Sequence, residues 1–158
     1  MPPKQWNRVS FSSVLRQQHR RDLEELMFFN PDQDRVREGI ISSVRRFGNP
    51  RIVQQGDVCR VAVGDFDDAQ TLYAFEAEAV PRLVGCIVYV RDERRRFTVV
   101  HIAVAEDHVM ASKSTEVPLA VRLLLQVLEI ARQIKGIEAV AVQYTKGKDL
   151  ELPIGKWE

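Results

Sequence analysis

Cysteine is scarce in this sequence. Cys59 and Cys86 are the only two in 158 residues; both lie inside apolar runs and neither has metal-ligand spacing. A disulfide framework is thereby excluded, no metal site is expected, and both thiols read as reduced core residues. Long hydrophobic runs are also missing. None approaches the ~20 residues that span a bilayer, and the opening MPPKQWNRVSF lacks the apolar block of a signal peptide. The expectation is a soluble, cytoplasmic protein with no membrane partner. Charge of one sign is absent as well: 23 Lys and Arg stand against 22 Asp and Glu, leaving +1. Such a balanced field selects neither nucleic acid nor a membrane surface. No Ser–His–Asp or Cys–His set can be assembled, because a thiolate is disfavoured within apolar strands. There is no repeat, low-complexity tract or linker, so residues 1–158 are expected to form one domain. A chain of this length buries roughly 68–70% of its unfolded surface on folding, enough for a substantial core.

What is present is a clear change of period along the chain. The stretch SFSSVLRQQHRRDLEELMFF predicts a helix capped by Ser10, Ser12 or Ser13, with Leu15, Leu23, Leu26 and Met27 on its apolar side. NPDQDRVREGIISSVRRFG predicts a second. Asn30 is its N-cap, Pro31 opens it, and Val36, Ile40, Val44 and Phe47 recur at helical spacing before Gly48 closes it. After Pro50 the pattern turns to strands: RIVQQ and VCRVAV flank Gly56–Asp57 as a hairpin, TLYAFEAE follows, and residues 83 to 105 form a second hairpin around RDERRR. A further helix buries Val117, Val121, Leu124, Leu128 and Ala131 and stops at Gly136, and IEAVAVQY is the last strand. This order predicts helices packed on a mixed sheet.

The stretches LVGCIVYV, FTVVHIAVAEDH, LLLQVLEIA and IEAVAVQ, within about residues 70 to 144, resemble the central part of the Gcn5-related N-acetyltransferases, the GNAT superfamily. The resemblance implies an α/β (α+β) fold: a mixed, mostly antiparallel sheet flanked by helices, with two N-terminal helices and a shortened C-terminal part. It also implies acetyl transfer from acetyl-coenzyme A to an amine. In that family a strand edge pairs with the pantetheine arm, and amides at a helix start hold the pyrophosphate. By order along the chain, Ile102, Val104 and Ala105 correspond to that edge, and Thr115, Ala120 and Val121 to the cradle.

The sequence departs from the pattern at the cradle itself. SKSTEVPLAVRLL, residues 112 to 124, contains no glycine; Thr115 stands where the family has a basic or amide residue, and Pro118 replaces the first glycine. Proline has no N–H to offer an anion. After the last strand only TKGKDLELPIGKWE remains, with no counterpart of the family's tyrosine general acid; Tyr144 is the nearest candidate. Hence the reading divides between an acetyl-coenzyme A-dependent enzyme and a degenerate GNAT-like scaffold for dimerisation or partner binding. An open sheet edge would favour a homodimer by edge-strand pairing, with LELPIGKW completing a neighbour's sheet.

Among single residues, His101 is either a general base beside the fourth strand of the family pattern or a satisfied histidine on a covered face. Glu106, Asp107 and His108 either orient an amine or solvate a loop. RDERRR reads as a charged hairpin tip, since no aromatics interleave it, and nucleic acid is not an expected partner. DFDDA lacks the glycine and distal glutamate of a calcium loop, and reads as a turn.

Overall fold

The computed structural model describes residues 9–28, 37–66, 68–77, 80–110, 117–142 and 150–154. The C-terminal helix and the strands around it follow the predicted order. β5 (Gln70–Glu76), β6 (Arg82–Glu93) and β7 (Arg96–Val104) form an antiparallel meander. α4 (Leu119–Arg132) then carries the chain to β8 (Ala139–Val142), which lies parallel to β7. A parallel neighbour demands a long crossover, and here a helix supplies it. β1 (Val9–Ser12) and β9 (Leu150–Pro153) complete the order β1-β5-β6-β7-β8-β9. The architecture is a mixed, mostly antiparallel sheet flanked by helices, as expected.

Three expectations are corrected. The first helix is shorter than predicted: β1 pairs with β5, β2 (Leu15–Arg16) follows, and α1 spans only Arg20–Phe28. Ser12 is not a helix cap. Its hydroxyl accepts from the Val14 amide at 3.1 Å and reaches the Val14 carbonyl at 3.2 Å, a local turn that competes with helix formation. The hairpin at Gly56–Asp57 exists as β3 (Pro50–Gln55) and β4 (Val58–Val63), but it joins β2 in a separate three-stranded sheet. LELP pairs antiparallel with β8 of its own chain, Leu152 opposite Val140. Finally, α4 is rotated relative to the predicted stripe. Leu119, Leu123, Val127, Leu128 and Ala131 are buried, whereas Val117 is 53% and Val121 43% exposed. On a helix so rich in apolar residues, periodicity fits more than one face, and the sheet selects among them.

α2 (Arg37–Phe47) ends as expected, with the Gly48 amide on the Val44 carbonyl at 2.9 Å and φ of +99°. Gly48 also meets Gly64 backbone to backbone: a Cβ on Gly48 would lie 2.6 Å from the Gly64 Cα. The helix end and the small sheet can approach this closely only without side chains. The caps proposed at Asn30 and Pro31 lie outside the described residues.

The core divides across the main sheet. On one side α4 packs Leu119, Leu123 and Val127 against Leu72, Ile87, Val99 and Val140. On the other, Leu23, Leu26 and Met27 of α1, Phe47 of α2 and Val61 of the small sheet meet Tyr73, Cys86, Val88 and Val100. Cys59 and Cys86 are both buried and free. Among the described residues no helix is long and apolar enough to cross a membrane.

Candidate functional site

β7 is longer than its pairing with β8. The parallel register runs from Arg96 opposite Ala139 to Val99 opposite Val142, while β7 continues to Val104. A bulge lies beside the last of these pairs: Tyr89 faces Val99 and Val88 faces His101, leaving Val100 as an extra residue. Beyond the bulge the ladder phase can be read from one bond. The Ala105 amide donates to the Val84 carbonyl at 2.8 Å, and hydrogen-bonded pairs alternate along an antiparallel ladder. Ala103 and His101 therefore turn their backbone groups to β6. Ile102 and Val104 turn theirs the other way, toward the side on which β8 has ended.

Of the three residues expected on this edge, Ile102 and Val104 thus face it. Ala105 does not: its amide goes to β6, and its carbonyl accepts from the His108 amide at 2.9 Å.

α4 begins over the same end of the sheet. A methyl group at Gly85, opposite Val104, would stand 3.2 Å from both Leu119 Cδ2 and Leu123 Cδ1. Glycine in the V-G pair therefore lets the helix start settle close to the strands. Pro118 is the N-cap, one position earlier than a first-turn proline, and its own side chain offers no capping bond. The first intrahelical bond runs from the Arg122 amide to the Pro118 carbonyl at 3.0 Å. Proline thus removes one of the four leading donors, and the amides of Leu119, Ala120 and Val121 are the other donors that precede the first intrahelical bond. Ala120 and Val121 lie in the first turn of α4; Thr115 lies outside the described residues, as does Tyr144.

His101 sits at the bulge on the α1 and α2 side of the sheet, in register with Val88. It is 8% exposed, and desolvation lowers its pKa from 6.5 to about 4. The imidazole is neutral at physiological pH and able to accept a proton, but only as a weak base. Next to it, the buried Ser43 hydroxyl of α2 donates to the Val100 carbonyl at 2.6 Å. Sequence reasoning missed Ser43, which reads as a polar residue on a helix whose apolar positions lie elsewhere. Burial, first of all, raises the Tyr73 phenol and pushes the Cys86 thiol up to about 12. Both stay protonated, and neither is a nucleophile or a ready acid.

A charged network was also missed. His108 Nε2 lies 2.7 Å from Glu76 Oε2, and both side chains are buried. Arg82 grips Asp107 through two bonds of 2.9 and 2.8 Å and approaches Glu76 at 3.7 Å. The hydrogen bonds from Arg82 hold the Asp107 carboxyl below its ordinary pKa. His108 and Asp107 belong to α3 (Glu106–Met110), a segment that the sequence offered either as groups orienting an amine or as a solvated loop, and not as a helix. Glu76, Asp107 and His108 each bring one donor atom within 4.8 Å of the others, the spacing of a metal centre. Arg82 already occupies both Asp107 oxygens, so a cation would have to displace it. Only one signal pointed here, the sequence neighbours Asp107 and His108; Glu76 and Arg82 are distant in the chain.

No family model matches this chain, and no curated protein does. Solved structures with a similar course include a nourseothricin acetyltransferase, at 18% identity and a TM-score of 0.45, over 85% of this chain and 72% of that one. An IAA acetyltransferase from Bacillus cereus has 16% identity and a TM-score of 0.44, over 85% of this chain and 64% of its own. A protein from Desulfovibrio desulfuricans, assigned as a GNAT-family acetyltransferase, has 16% identity and a TM-score of 0.46, over 85% and 72%. What each of these acts on is said of that protein alone.

Proposed function

We propose that this chain binds acetyl-coenzyme A and transfers its acetyl group to an amine. One observation carries the reading: β7 runs on past its pairing with β8 and its ladder phase turns the backbone of Ile102 to that side, while the proline-led start of α4 lies over the same end of the sheet. An outward-facing strand edge pairs with an amide-bearing arm as it would with another strand. The amides of Leu119, Ala120 and Val121, at the positive end of the helix dipole, suit the pyrophosphate. Acetyl-coenzyme A would supply the acyl group and a thiolate leaving group. From the protein, His101 at the bulge offers a neutral imidazole to the proton that the attacking amine loses; its low pKa makes that assistance small. Substrate amines that enter already deprotonated need it least.

The second reading is a scaffold that no longer binds the coenzyme. It is favoured by Pro118, which lacks a donor, and by the exposed Val117 and Val121, which put apolar surface where a basic side chain would assist an anion. Thermal unfolding with and without acetyl-coenzyme A separates the two. At ~100 times the dissociation constant, binding to the folded state alone stabilises it by about 2.7 kcal/mol. A rise in Tm supports the enzyme, and acetylation of a panel of primary amines then identifies the acceptor. An unchanged Tm at millimolar ligand favours the scaffold.

A further inference from the structure

We propose that Glu76, Arg82, Asp107 and His108 form a positioning site that fixes the end of β7, and with it the edge presented to a pantetheine arm. This rests on the coenzyme A reading above. α3 follows β7 after a single residue and has five residues, too few to hold a helical shape unaided. What holds it is the network. His108 reaches across the strand ends to Glu76, the last residue of β5, at 2.7 Å, with both side chains 5% exposed. Asp107 is gripped from β6 by Arg82, the cross-strand partner of Glu76. One guanidinium thus faces two carboxylates, and the imidazole faces one of them.

The backbone bonds close on the same place. The His108 amide donates to the Ala105 carbonyl, and the Ala105 amide donates to Val84. Ala105 is therefore held between α3 and β6, three residues from Ile102. If α3 swings away, the carbonyl of Ala105 loses its donor and the last residues of β7 are free to rotate about β6. The ladder phase that turns Ile102 toward the opening then loses its anchor at that end. An apolar contact would cover the strand ends equally well, but it would tolerate several placements of α3. A buried imidazole–carboxylate bond and a two-pronged guanidinium–carboxylate pair tolerate one.

The test uses the whole chain and two measurements: calorimetry with coenzyme A, and native-state hydrogen exchange. The variants are His108→Ala, and His108→Gln, whose side-chain amide can reach Glu76 from the position of Nε2. In His108→Ala we expect coenzyme A to bind about tenfold more weakly, within the usual range for coupled sites. Exchange should accelerate at the amides of Ala105 and His108, while those of Leu123, Val127 and Val140 stay protected. His108→Gln should recover both. Arg82→Lys, at a half-exposed position where folding is not at stake, keeps the charge but not the fork, and should weaken binding in the same direction. Unchanged binding in His108→Ala and Arg82→Lys would overturn the positioning site and leave the coenzyme reading standing. Exchange that rises evenly across the sheet would reduce the network to general stability and also overturn it. If the wild-type chain binds no coenzyme A, the proposed function falls and the edge role with it.

Discussion

Phe97–Val99 and Ile102–Val104 belong to one strand, share one partner in β6, and pack under the same helix, yet their surroundings differ. The first half is held on both sides, by β6 and by β8, and Val99 is fully buried. The second half is held by β6 and, among the described residues, faces no strand where β8 has ended; Ile102 is only partly buried. Between them lies Val100, an extra residue whose carbonyl is taken by Ser43 rather than by a strand. The first half resembles any buried strand. In the second, the ladder phase turns the backbone of Ile102 to the side away from β6. The change costs one residue of register and one hydroxyl.

This contrast can be broken from the strong side first. Leu123→Ala removes a fully buried side chain from over Gly85, and we expect it to cost about 2–5 kcal/mol in urea unfolding. A loss below about 1 kcal/mol would mean that α4 does not pack firmly on the sheet.

The bulge is addressed by pH. His101 titrates at about 4 in the folded chain against 6.5 ordinarily, because burial disfavours the charged form. The unfolded chain therefore takes up this proton first as the pH falls. The stability involved is fully present above pH 6.5 and is lost as the pH drops through about 4, to the extent of about 3 kcal/mol. A His101→Leu variant should show a flatter dependence of unfolding free energy between those pH values; an identical slope would place His101 in water.

Proline substitutions sharpen the comparison within the second half. Ala103 turns its amide to β6 and Ile102 turns its own away, so Ala103→Pro should cost about 1–3 kcal/mol more than Ile102→Pro, by leaving a buried carbonyl unsatisfied. Ile102→Pro should instead abolish coenzyme A binding. Equal losses of stability would refute the ladder phase. The smallest effect is expected for Ser43→Ala, about 1 kcal/mol, through the bond to Val100.

Much of the frame is legible in the amino-acid order. Gly48, at positive φ, marks a helix end and the Gly56–Asp57 turn marks a hairpin, because each needs a backbone conformation that few other residues adopt, whereas α4 stops at Arg132, ahead of the expected Gly136. The meander and the helix that follows it are legible from apolar period alone. The first segment misleads because SFSSVLRQQ offers helix caps and turn formers alike, and only pairing with β5 decides in favour of the strand. The face of α4 misleads because eight of its first ten positions are apolar. The network of Glu76, Arg82, Asp107 and His108 has no local signature, since its members converge from three elements.

Taken alone, the sequence determined the hairpin at Gly56–Asp57, the strands of the meander, that α4 links two strands, and that the stretch before α4 lacks glycine. Those are local properties, written in period, turn chemistry and the missing proline amide. The tertiary structure decided where β8 stops against β7, which backbone groups face the opening, and which charges are buried together. Register and convergence depend on residues far apart in the chain, and no run of neighbours encodes them.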